Sequence, residues 1–186
     1  MERELKWVCC DGGPHILMEK RLLSSWEGTD PPANGRVVEA VFRWAGEGTV
    51  ATDYDRACDV NKYIGVIPVG TGQAIVIDDD VPMSAWLPGE SGTGSILVLE
   101  EWSCDLRSAD IIDAVRNLPD RNLVDTGLRY STEESELLLF AAADRAPNWV
   151  YEPAEVRLLP GRYRARAANN VAWEMGTLRV CKLERE

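Results

Sequence analysis

The stretch from residue 63 to 102 constrains this chain more than any other: Y-I-G-V-I-P-V-G-T-G-Q-A-I-V-I-D-D-D-V-P-M-S-A-W-L-P-G-E-S-G-T-G-S-I-L-V-L-E-E-W. Four short apolar runs, 64–69, 74–77, 83–87 and 96–99, are separated by clusters of Gly, Pro and Asp. Runs of that length, rich in Val and Ile and bounded by such punctuation, form strands rather than helices. Gly70-Thr71-Gly72 supplies the positive φ that a tight hairpin needs. The reading is an antiparallel meander, and no catalytic motif stands anywhere in it.

On the N-terminal side, residues 5–10 form a first strand, closed by the turn Asp11-Gly12-Gly13-Pro14, and residues 15–18 form the returning strand. A short helix follows over 20–26, with Leu22, Leu23 and Trp26 at helical spacing and Gly28 as its stop. Gly12-Gly13 also suggests an anion nest, but without a fuller Gly pattern at a helix start the turn reading is preferred. Residues 29–35 are a loop. Residues 36–44 alternate Val38, Ala40, Phe42 and Trp44 against a more polar set, which reads as a strand. Thr52 caps a helix over 52–58, with Asp53 and Asp55 in the first turn where the dipole favours negative charge. Those two carboxylates could serve a metal or acid–base site only with a further convergent His or carboxylate cluster, which the sequence does not supply.

Beyond the central stretch, Ser108 caps a helix over 108–118 whose Ile111, Ile112, Val115 and Leu118 share a face, and Pro119 stops it. Strands resume at 123–130, 136–142, 155–159, 162–168 and 177–183. A weak repeat sets 73–78, Trp86-Leu87-Pro88-Gly89 and 95–99 against 136–140, Leu158-Leu159-Pro160-Gly161 and 177–183; either two similar β-modules pack together or two hairpin-rich segments resemble each other by chance. Arg162, Arg164 and Arg166 fall on one face of a strand, where they either clamp an anion or form a solvated charged face. The fold class is therefore mainly β (α+β): antiparallel sheets with two or three short helices. They form one domain, or two intimately packed modules divided near residues 107 and 108.

Charge narrows the partners. The 186 residues carry a net charge of −11, and residues 1–110 hold nineteen Asp/Glu against nine Lys/Arg. Phosphate binding needs clustered Lys and Arg, so direct nucleic-acid and anionic-membrane partners are excluded, while a basic protein partner is favoured. Five cysteines without a C-x-x-C pair and a single histidine, His15, leave no metal-site spacing, and no cofactor is implied. The N-terminal residues lack a signal peptide's apolar core, which reads as a cytoplasmic protein with free, largely buried thiols. No nucleophile–base pair, G-x-S-x-G or phosphate-cradling loop is present, so no enzymatic activity is expected.

Trp7-Val8 followed by Gly12-Gly13-Pro14, then Leu23-x-x-Trp26-x-Gly28, Asp53-Tyr54-Asp55-Arg56-Ala57-Cys58 and Gly65-Val66-Ile67-Pro68-Val69-Gly70 resembles the immunity protein 21 family of bacterial polymorphic toxin systems. The resemblance spans roughly residues 7–99. It implies a mostly β inhibitor that neutralises the toxin encoded beside it by stoichiometric binding. Many such toxins are nucleases, so an acidic surface that mimics phosphate suits the role. The contact candidates are Asp53 with Tyr54, Asp78-Asp79-Asp80, and Glu100-Glu101, with Tyr54, Trp86 and Trp102 as apolar anchors. Gly12, Gly13, Pro14 and Trp26 are expected to report the fold instead. The partner is a basic toxin, a nuclease among the options, met by a monomer or weak dimer. The alternative is a β-rich domain binding an anionic small molecule where Asp53, Asp55 and the Arg162/Arg164/Arg166 row would converge.

Overall fold

The computed structural model describes residues 4–10, 13–28, 52–77, 83–102 and 106–186. The strand expected over 36–44 and the loop before it lie outside the described residues, as do Asp11, Gly12, Asp78, Asp79, Asp80 and Cys104. Eleven strands are described: β1 (Trp7–Cys9), β2 (His15–Glu19), β3 (Gly65–Val69), β4 (Gly72–Ile77), β5 (Met83–Pro88), β6 (Gly94–Trp102), β7 (Val124–Thr132), β8 (Glu136–Ala141), β9 (Ala154–Arg157), β10 (Gly161–Trp173) and β11 (Gly176–Arg185). The helices are α1 (Asp53–Cys58) and α2 (Ser108–Arg116), with 3₁₀ turns at Lys20–Ser25 and Asp120–Asn122.

The strands form two antiparallel sheets, one ordered β1-β5-β6-β11-β10-β7 and the other β3-β4-β2-β8-β9. Side-chain alternation explains why so many runs are apolar at every position. Leu17, Ile75, Leu139, Ile96 and Leu183 fill the space between the sheets. Their neighbours Ile16, Val76 and Phe140 pack on the outer face of the five-stranded sheet with Leu22 and Trp26 of the 3₁₀ segment and Ala57 of α1. Leu97, Leu99 and Val180 pack on the outer face of the six-stranded sheet with Ile111 and Ile112 of α2. A strand covered on both faces has no solvated side, so it reads as a continuous apolar run. The result is a mostly β fold of two antiparallel sheets with few short helices.

Two expected pairings are different in the structure. β1 and β2 are not a hairpin: β1 pairs with β5, and β2 pairs with β4 and β8. The 63–102 stretch is likewise not one meander but two hairpins, β3–β4 in one sheet and β5–β6 in the other. Five residues reach roughly 17 Å, more than the ~10 Å between stacked sheets, so a short Gly/Pro/Asp link serves a crossover as well as a hairpin. Gly70 takes φ +53 at the β3–β4 turn, as the hairpin reading requires.

Both sheets draw strands from before and after residue 107. Each part contributes an outer strand to the larger sheet (β1, β7), a central strand to the smaller one (β2, β8) and a hairpin to the larger (β5–β6, β10–β11). The two parts meet antiparallel at β6–β11 and β2–β8. This correspondence matches β5 with β10, whereas the Leu-Pro-Gly correspondence read in the sequence leaves β10 unmatched between Leu159-Pro160-Gly161 and β11.

Local details follow from side-chain chemistry. The α1 start is a capping box: Thr52 Oγ1 accepts from Asp55 N at 3.1 Å and Thr52 N donates to Asp55 Oδ2 at 2.8 Å. Ser108 does not cap α2; its Oγ accepts from Leu5 N at 3.0 Å and ties the helix to the chain entering β1. Gly28 is no helix stop. A Cβ there would lie 2.7 Å from the carbonyl oxygens of Ala143 and Asp144, so close backbone approach demands glycine. Of the described cysteines, none of them disulfide-bonded, Cys10 and Cys181 are buried, Cys9 is partly exposed and Cys58 is exposed, so burial of the thiols is less complete than expected.

Glu19 is a buried carboxylate at the end of β2. It accepts from Thr132 Oγ1 at 2.8 Å, Glu133 N at 2.5 Å and Glu134 N at 2.6 Å, and pairs with Arg21 at 2.8 Å. Burial alone would raise its pKa, but these bonds outweigh it and the pKa is lowered. Its contribution is present above the unfolded pKa and lost as pH falls through the folded one. Glu19→Gln, which swaps an acceptor for a donor facing backbone N–H groups, is expected to cost about 1–3 kcal/mol in urea unfolding at neutral pH. An unchanged midpoint would show that the carboxylate does not hold the β7–β8 turn.

Candidate functional site

Register places many strand ends at one end of the sandwich. His15 pairs with Ile77, Cys9 with Met83 and Trp102 with Gly176, and Tyr63 before β3 reaches Arg179 of β11 across the sheets. Ile77 and Met83, which bracket Asp78-Asp79-Asp80, both lie at this end, although the three aspartates themselves lie outside the described residues.

The candidate residues divide sharply. Glu101 is exposed on the last turn of pairing in β6, opposite Thr177. Glu100 beside it is tied down: its Oε1 pairs with Arg179 at 3.1 Å and its Oε2 accepts from Asn170 N at 3.0 Å. Trp102 ends the same strand. Asp53 is a correction, because a residue only 2% exposed offers nothing to a partner. Its carboxylate accepts from Glu27 N at 2.8 Å and pairs with Arg56, fastening α1 to the chain after Trp26. Burial raises the Asp53 pKa despite these partners. Tyr54 is half-buried against the outer cluster of the smaller sheet, and burial raises its hydroxyl's pKa. Trp86 is the second correction: it is 6% exposed, part of the inter-sheet core, and packs over Gly94 at the other end of β5.

The turn and core residues have structural surroundings. Gly13 takes φ +95, and a Cβ on it would lie 3.2 Å from the Tyr54 hydroxyl. Pro14 is buried, with its carbonyl accepting from Ala142 N at 2.9 Å. Trp26 is buried in the outer cluster of the smaller sheet.

The sequence reading missed Arg179 and Asn170, which bind Glu100, and Asn169 and Tyr63, which hold Arg179. Arg179 stacks on the Tyr63 ring at 4.7 Å and donates from Nε to Asn169 Oδ1 at 2.9 Å. The Asn169-Asn170 pair inside an otherwise Ala/Val strand was the available signal, since such residues in a strand pattern mark a bulge.

The groups required for anion capture do not meet. Asp53 and Asp55 belong to α1 on the outer face of the smaller sheet. Arg164 and Arg166 pair with Glu184, and Arg166 also donates to the carbonyls of Asp120 and Leu123 beside the larger sheet. The row is a charged face of an interior strand, β10, flanked by β7 and β11. A groove of about 660 Å³ opens elsewhere, between the β1–β5 edge and β9, floored by Trp86, Leu87 and Leu138. Among the described residues no three His, Cys, Asp or Glu side chains gather as metal ligands, and no helix is long and apolar enough to cross a membrane.

This is a two-sheet β protein whose exposed and tethered glutamates share one end of the sandwich. The family model for immunity protein 21 matches residues 6–176, and the chain belongs to that family. The family is one of immunity proteins for toxin systems. No curated protein and no solved structure matches the chain.

Proposed function

We propose that this protein neutralises a cognate bacterial toxin by binding it stoichiometrically and covering its site, through the acidic end of the sandwich. The family match over residues 6–176 carries the reading. The imbalance of nineteen acidic against nine basic residues over positions 1–110 gives the surface its sign. The toxin is basic, and a nuclease site built for phosphate is the kind that such a surface blocks. The contact includes Glu101, Trp102 and Asp78-Asp79-Asp80, acts without cofactor or catalysis, and works in the cytoplasm as a monomer or weak dimer. An interface of about 800 Å² per partner would cover this end and the flank beyond it.

The test is charge reversal. Glu101→Lys combined with Asp79→Lys is expected to weaken toxin binding about tenfold or more, mainly by slowing association, and to abolish protection in co-expressing cells. Asp113→Lys on exposed α2 serves as the control and should bind as the parent does. Equal affinity for all three proteins would remove the acidic end as the contact.

A further inference from the structure

Two β-bulges flank Arg179 in the larger sheet. On the β6 side, Thr177 pairs with Glu101 and Leu178 with Leu99, so Glu100 is an extra residue. On the β10 side, Ala168 pairs with Val180 and Val171 with Leu178, so Asn169 and Asn170 together oppose Arg179 alone. Asn170 takes φ +51, an uncommon conformation for a residue with a side chain. That conformation directs its N–H across β11 to Glu100.

The β6 bulge decides where Glu101 points. Leu97 and Leu99 face α2, and strict alternation would send Glu101 to that face too. The extra residue restores Glu101 to the face of its partner Thr177, the side opposite Leu178 and the same side as Glu100. Arg179 then holds Glu100 Oε1 from Nη2 and Asn169 Oδ1 from Nε, two arms of one guanidinium fork, while its plane stacks on the Tyr63 ring. One carboxylate is neutralised and its neighbour is left exposed as a single charge.

We propose that Arg179 is a positioning residue for the toxin contact: acting through Glu100, it holds the bulged end of β6 so that Glu101 receives a Lys or Arg side chain of the toxin. This rests on the toxin-neutralising reading. It adds which carboxylate makes the contact and what aims it.

The experiment measures toxin affinity across salt for the parent, Arg179→Lys, Glu101→Gln and the double variant, with thermal melting of each protein. Arg179→Lys keeps the charge but loses the fork, and Asn169→Ala, at an exposed position, is the second variant should the lysine protein melt early. Either is expected to weaken binding about tenfold and to flatten its salt dependence as Glu101→Gln does. The double variant should bind no more weakly than Glu101→Gln alone, a coupling that a general loss of stability would not give. Unchanged affinity in Arg179→Lys and Asn169→Ala, or losses that simply add, would overturn the positioning role while leaving neutralisation standing. No complex between the parent and its folded toxin would overturn both.

Discussion

Replacing Trp26 with alanine is expected to destabilise the protein by about 3–5 kcal/mol, the range for removing a fully buried Trp. Trp26 is 1% exposed and meets Phe140 edge-on at 5.6 Å, while Phe140 in turn meets Trp149 at 5.3 Å. Its Nε1 donates to the carbonyls of Ala142 at 3.2 Å and Asp144 at 3.1 Å, fastening the segment after β8 to the outer face of the smaller sheet. Truncation would open a cavity and strip those two carbonyls of a donor at the same time. For a chain of this size the loss corresponds to a melting shift of about 6–20 °C. An unchanged melting temperature in purified Trp26→Ala protein would contradict the account of this layer. Because Trp26 lies in the outer cluster of the smaller sheet, the folded fraction of the variant should still bind toxin.

Acid should destabilise the protein through His15. The imidazole is 2% exposed, hydrogen-bonded to the backbone of Cys9 and Val8, and burial outweighs those bonds to lower its pKa to about 4 from 6.5. The unfolded chain therefore binds a proton between pH 6.5 and 4 that the folded chain refuses. Stability falls as pH drops through that window, by about 3 kcal/mol in all. Below pH 4 both states hold the proton and this contribution levels off. His15→Gln removes the titration, so its unfolding free energy should lose that part of the slope while the Glu19 part remains. Parallel pH profiles for parent and variant would mean that His15 titrates alike in both states.

The strands were legible because burial on both faces writes itself into the sequence as unbroken apolar runs. Ala74–Val76 and Leu137–Phe140 could be little else once flanked by turn residues. The helix caps were only half legible: Thr52 capped as read, but Ser108 bonded to Leu5, a residue 103 positions away. Strand pairing beyond the β3–β4 hairpin was not legible, since Gly and Pro mark where the chain turns and carry no information on which sheet it enters next. The same gap explains the site. Asp53 looked like a surface acid because first-turn aspartates usually are, and only the docking of α1 onto the segment after Trp26 buried it. Trp86 read as an anchor because Trp is a typical interface residue, whereas Gly94 across the hairpin makes room for its ring in the core. Glu100 and Glu101 read as equals in sequence, and the bulge that separates their surroundings exists only through the pairing of β6 with β11, nearly eighty residues later.

The most direct test of the central claim is co-expression of this protein with the product of the neighbouring gene, followed by size exclusion at low and high salt. A one-to-one complex that weakens as salt rises is expected, because exposed charges at the sandwich end are screened. A complex indifferent to salt would contradict the acidic contact and move it to an apolar patch. Two folded proteins that elute apart at both salt concentrations would contradict neutralisation by binding.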